Sequence, residues 1–73
     1  MPRELHSNKS AWPELVGLTA GEAIRVIETE RPDVFAFIWA EGEPEPPNIE
    51  YDRVVVWCYA VDPPIVSRTP VIG

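Results

Sequence analysis

His6, the one imidazole base, and Cys58 are the only soft metal-ligand side chains, and they are far apart in the sequence. A nucleophile needs a positioned base. The histidine, however, lies in the polar start MPRELHSNKS and the cysteine in the apolar run VVVWCY. Two soft ligands are too few for a zinc site, and a single cysteine closes no intrachain disulfide. The chain is therefore expected not to be an enzyme and to use no cofactor and no metal, with Cys58 as a small core residue. What remains is recognition chemistry, concentrated in residues 40–53, AEGEPEPPNIEYDR, with three prolines and four glutamates. Each proline holds its own φ near about −65° and drives the preceding residue out of the helical region. Residues 43–47 should be extended, stiff and exposed, so that docking costs them little conformational entropy. Glu41, Glu43, Glu45 and Glu50 read as a solvated surface, or as a selector for a partner with a basic rim. Pro44-Glu45-Pro46-Pro47 also fits the PxxP pattern of SH3-type grooves, but without the basic flank.

Two apolar runs flank this segment, 34–39 and 54–59, and are mixtures of β-branched and aromatic residues. Such runs read as strands covered on much of both sides. About fourteen residues between them are too many for a tight hairpin, which leaves room for a parallel pair with a wide crossover. Upstream, Thr19-Ala20-Gly21-Glu22 has the spacing of a capping box. Ala20, Ala23, Ile24 and Ile27 then share one helical face, opposite Glu22, Arg25 and Glu28. A helix over residues 20–30 is expected, ended by Pro32. Trp12 reads as a core plug, and Trp39 and Trp57 as core or edge packing. Asp62-Pro63-Pro64 marks a turn, and residues 65–72 supply a short last strand that Pro70 confines to an edge. The fold class is α+β: a single helix packed on a small mixed, mainly parallel sheet, with a long exposed loop between the two main strands. Residues 1–10 are expected to be a flexible tail and 11–73 the domain.

Seventy-three residues make one small core. A net charge of −6 with six scattered basic residues argues against nucleic acid. The apolar runs are too short to span a membrane, and the polar start lacks the apolar stretch of a signal peptide. A leaderless chain, cytoplasmic or extracellular, is expected, and a monomer.

Trp12-Pro13-Glu14-Leu15-Val16-Gly17, the capped helix with Glu22-Ala23 and Val26-Ile27, Gly42, Asp52-Arg53-Val54 and the ending Pro70-Val71-Ile72-Gly73 resemble the potato inhibitor I family of serine protease inhibitors. The resemblance implies a serine endopeptidase as partner, of the subtilisin-like or chymotrypsin-like kind, bound by a substrate-like loop at residues 42–51. Ungapped carry-over implies a reactive bond between Pro47 and Asn48, with Glu45 and Pro46 before it and Ile49 and Glu50 after it. It also implies that Arg53 and the carboxylate of Gly73 support the loop from below. Val55 stands where the family usually has a second bracing arginine, so the brace is expected to be weaker. A proline at the reactive position cannot enter a deep specificity pocket and has no amide hydrogen to donate there, so specificity is expected to be altered. A one-residue slip would instead put Asn48 at that position. The alternative is a non-inhibitory member of the fold that binds partners through its Glu/Pro loop.

Overall fold

Thr19 and Glu22 close the capping box. The Glu22 amide donates to Thr19 Oγ1 at 3.3 Å, and the Thr19 amide donates to Glu22 Oε1 at 3.3 Å. These bonds satisfy amides that the first helical turn leaves without partners. Helix α1 follows over Ala20–Glu30, the span read from the sequence, and buries Ala20, Ala23 and Ile27. The computed structural model describes residues 9–48 and 50–73. The expected tail lies mostly outside the described residues, but its last two, Lys9 and Ser10, already make contacts. The Ile72 amide donates to Ser10 O at 3.1 Å and Arg31 donates to Lys9 O at 2.7 Å.

Trp12 is the plug expected of it, with no exposed surface. Its amide donates to Pro70 O at 2.9 Å and its indole Nε1 to Glu30 Oε1 at 3.0 Å. One residue, through its backbone and its side chain, thereby ties the start of the domain to the last segment and to the end of α1. A one-turn 3-10 helix, Pro13–Leu15, carries the chain from Trp12 toward α1.

Strands β1 (Phe35–Ala40) and β2 (Arg53–Tyr59) pair in parallel, Phe35 beside Arg53 through Ala40 beside Cys58. The expected last strand is split in two. Strand β3 (Ile65–Val66) and strand β4 (Val71–Ile72) both run antiparallel to β2, giving a mixed sheet of four strands. Between them β2 takes three steps, from Val55 to Cys58, where the last segment takes five, from Val66 to Val71. Those two surplus residues bulge outward. Among the described strands β4 pairs with β2 alone, the edge position expected, and Pro70 beside it is buried, its carbonyl accepting from the Trp12 amide.

The two faces of the sheet do different work. Side chains alternate along a strand, so Val54, Val56 and Cys58 of β2 join Ala36 of β1, Val66 of β3 and the α1 face in the core. Arg53, Val55 and Trp57 point the other way, beside Phe35, Phe37 and Trp39 of β1. The expectation of strands covered on both sides holds for β2 but not for β1, where Phe35 and Ile38 are 60% and 47% exposed. Phe35, Phe37 and Trp39 instead lie against one another along the strand, the first pair tilted and the second edge-to-face, with ring centroids 5.8 and 5.9 Å apart. Among the described residues no helix is long and apolar enough to cross a membrane.

Candidate functional site

The long connection begins with a tight turn. The Glu41 amide extends the β ladder to Cys58 O at 2.9 Å, and the Glu43 amide returns to Ala40 O at 3.2 Å. Gly42 sits at φ 95° in this turn, a backbone region that side-chain-bearing residues avoid. The chain is thereby turned from the direction of β1 over the sheet face that α1 leaves open.

Glu43, Pro44, Glu45, Pro47 and Asn48 are exposed, and the segment 43–48 belongs to no helix or strand. Prolines at 44, 46 and 47 donate no amide hydrogen, so beyond the Glu43 amide the incoming limb is held largely through its carbonyls and side chains. The Trp39 indole donates to Pro44 O at 2.9 Å. At the far end Arg53, on the open face of β2, spreads its guanidinium beneath the turn. Its Nη2 donates to Asn48 O at 2.6 Å, its Nη1 reaches Pro47 O at 3.5 Å, and its Nε donates to Gly73 O at 3.2 Å. Asn48 has φ 67°, in the left-handed region that asparagine tolerates better than most residues. The Pro47 and Asn48 carbonyls both face Arg53.

Between this strut and the start of the loop lies an open hollow of about 380 Å³, lined by Glu45, Pro46, Asn48, Arg53, Val55, Trp57, Val71 and Gly73. Val55 is its buried floor, 6% exposed and offering only methyl groups. The bulge after β3 carries Ser67 and Arg68 to the side of the hollow. Arg68 grips Glu41 with two bonds, Nε to Oε2 and Nη2 to Oε1, both 2.8 Å, while Ser67 Oγ donates to the same carboxylate. The Arg68 guanidinium lies 4.0 Å from the ring centroid of Trp57. Arg68, with Ser67, lowers the Glu41 carboxyl to about 2. Burial pushes the Cys58 thiol up, as suits an inert core residue.

Of the residues singled out in the sequence, Pro47, Asn48, Arg53 and Gly73 meet in one hydrogen-bonded group. Glu45 and Pro46 line the hollow, Glu50 is exposed, and Ile49 lies outside the described residues. Glu41 departs from the expected solvated cluster, because it is anchored to Arg68. Trp39 and Trp57 also exceed the packing role expected of them, one as a hydrogen-bond donor to the loop and one as the plate under Arg68. Ser67 and Arg68 carry no mark in the sequence. Their position depends on the two-residue bulge, which strand patterning does not show.

Residues 4–73 match the potato inhibitor I family. The chain belongs to that family. Members of the potato inhibitor I family are inhibitors rather than enzymes. Over 65 residues the chain is 45% identical to the "Glu S.griseus protease inhibitor" of Momordica charantia, covering 89% of this chain and 93% of that protein. It is 35% identical, also over 65 residues, to the "Protease inhibitor HPI" of Hevea brasiliensis, covering 89% and 90%. Among solved structures, bitter gourd trypsin inhibitor is similar with a TM-score of 0.82 and 41% identity, over 96% of this chain and 100% of that one. Trypsin inhibitor-V of Cucurbita maxima, solved by NMR, is similar with a TM-score of 0.66 and 38% identity, over 89% and 93%.

Proposed function

We propose that this chain, as a monomer, inhibits a serine endopeptidase of the subtilisin-like or chymotrypsin-like kind by presenting residues 42–51 as a poorly cleaved substrate. The reactive bond in this reading is Pro47–Asn48, with Glu45, Pro46, Ile49 and Glu50 in contact with the enzyme. The observation that carries it is the Arg53 strut, which ties Asn48 O to the sheet at 2.6 Å and reaches Gly73 O with the same side chain. A loop held from below docks at low entropic cost, and after acylation its leaving side stays beside the acyl-enzyme instead of diffusing away. The left-handed Asn48 favours this register over a cut at 48–49, because substrates lie in protease clefts as added β-strands and the specificity position needs extended backbone. Pro47 has no long side chain for a deep pocket. Enzymes that demand a large aromatic or basic residue there should therefore bind less tightly than those with shallow pockets.

The test is prolonged incubation with subtilisin, chymotrypsin, elastase, trypsin and a glutamyl endopeptidase, following residual enzyme activity together with the mass of the chain. Inhibition of at least one enzyme with a single slow cut at 47–48 is the expected result. Five active enzymes with an ignored or rapidly degraded loop would overturn it in favour of a non-inhibitory binding protein of the same fold.

A further inference from the structure

The incoming limb of the loop, residues 42–47, lacks amide donors at three of its six positions, so the sheet cannot hold it by a ladder of backbone bonds. The column of side chains beneath it alternates along β2 as Arg53, Val55 and Trp57. Arg53 reaches only the far end, at Pro47 and Asn48. Val55 has no polar atom to offer. The remaining contacts come from elsewhere: Trp39, which faces Trp57 across the parallel pair, donates to Pro44 O in mid-limb, and Arg68 fixes Glu41 at the root.

We propose that Trp39, Glu41 and Arg68 are positioning residues that hold the incoming limb over the hollow, in the place that Val55 leaves unbraced. This rests on residues 42–51 being the protease-binding loop. Three features make the group rigid. The Arg68–Glu41 contact is bidentate, which fixes orientation as well as distance. Arg68 stacks on Trp57, whose strand is paired on both sides, so the guanidinium rests on the best-supported part of the sheet. The Glu41 backbone is itself bonded to Cys58 O, so a fixed side chain also fixes the direction in which the limb leaves. Glu45 adds attraction toward Arg68 from further along the same limb. The loop is thus pinned at root, middle and tip by three different elements.

The test uses three substitutions that spare the fold. Trp39→Phe keeps an aromatic ring beside Phe37 but loses the N–H together with part of the indole; Arg68→Lys keeps the charge but loses the fork; Glu41→Gln keeps the shape and loses the charge. Each is measured by amide ¹⁵N relaxation at Glu43, Glu45 and Asn48, by urea midpoint, and by inhibition of the most tightly bound enzyme of the panel above. Order parameters at Glu43 and Glu45 should fall from about 0.85 toward about 0.6 while Asn48 stays rigid on Arg53. Inhibition should weaken about tenfold for each lost contact, with near-constant urea midpoints. Unchanged order at Glu43 and Glu45, or weaker inhibition that only tracks lower stability, would overturn the proposal. If the parent chain inhibits no enzyme, the protease-binding reading fails separately, and relaxation alone decides whether these residues hold the limb.

Discussion

Replacing Arg53 by alanine removes the group that joins the tip of the loop to the end of the chain, and its three contacts are unequal. The bond to Asn48 O is short, at 2.6 Å, that to Gly73 O is ordinary at 3.2 Å, and that to Pro47 O lies at the limit of a hydrogen bond at 3.5 Å. A hydrogen bond from a charged donor is worth about 1.5–3 kcal/mol. Water around the exposed loop keeps the Asn48 bond at the low end, about 1.5 kcal/mol, and the Pro47 contact adds little. Loss of the strut should therefore raise the dissociation constant for an inhibited protease about tenfold. The Gly73 contact is partly buried and helps to seat the last strand, at about 1 kcal/mol, which for a domain of this size lowers Tm by about 4–8 °C. Arg53→Lys keeps the charge but cannot span Asn48 O and Gly73 O together, so it should recover at most one of the two effects. Inhibition assays and thermal melts on the parent and both variants measure the two effects separately. An Arg53→Ala variant that inhibits within about twofold of the parent, with Asn48 as rigid as before, would refute the strut.

Thr19→Ala removes the acceptor of the Glu22 amide and should cost about 1 kcal/mol in urea unfolding without a change in slope. Trp12→Ala empties the most completely buried large side chain; a loss of about 3–5 kcal/mol should leave much of the population unfolded, visible as collapsed amide dispersion, while Trp12→Phe should fold. Because the Glu41 carboxyl is lowered from 4.5 to about 2 in the fold, its contribution to stability is fully present above about pH 4.5 and disappears only as pH falls through about 2. Titration of the Arg68 side-chain resonances should accordingly show the pair intact at about pH 3.5, and a midpoint near the ordinary carboxylate value would contradict the bidentate contact.

Local signals in the sequence carried the frame a long way. The helix limits follow from Thr19, Glu22 and Pro32 because capping and proline chemistry act within a few residues, independently of tertiary context. The parallel pair follows from two apolar runs and a connection too long for a hairpin. Arg53 and Gly73 were found through resemblance rather than through local chemistry, since nothing in DRVVVW by itself says that an arginine turns under a loop 5–6 residues earlier. The exposure of β1 was misread because its hydrophobicity is lateral: Phe35, Phe37 and Trp39 cover one another along an open face instead of entering a core. Arg68 was out of reach for a different reason. Its place is set by a mismatch between two strands, and a mismatch belongs to neither strand's own sequence.

The alternation of glutamate and proline in the incoming limb also limits where an enzyme can cut. The bonds 43–44, 45–46 and 46–47 all end on a proline nitrogen and are tertiary amides, which carry no hydrogen and place a ring where the leaving group must turn. A protease that docks one or two residues too early therefore meets two uncleavable bonds in succession before reaching 47–48. Acid-specific enzymes meet the same barrier, because Glu43 and Glu45 are each followed by proline. Slips of one or two residues toward the start of the chain are thus blocked covalently, whatever the quality of the loop's support, whereas a slip toward Glu50, or back as far as the ordinary amide 44–45, has to be prevented by conformation.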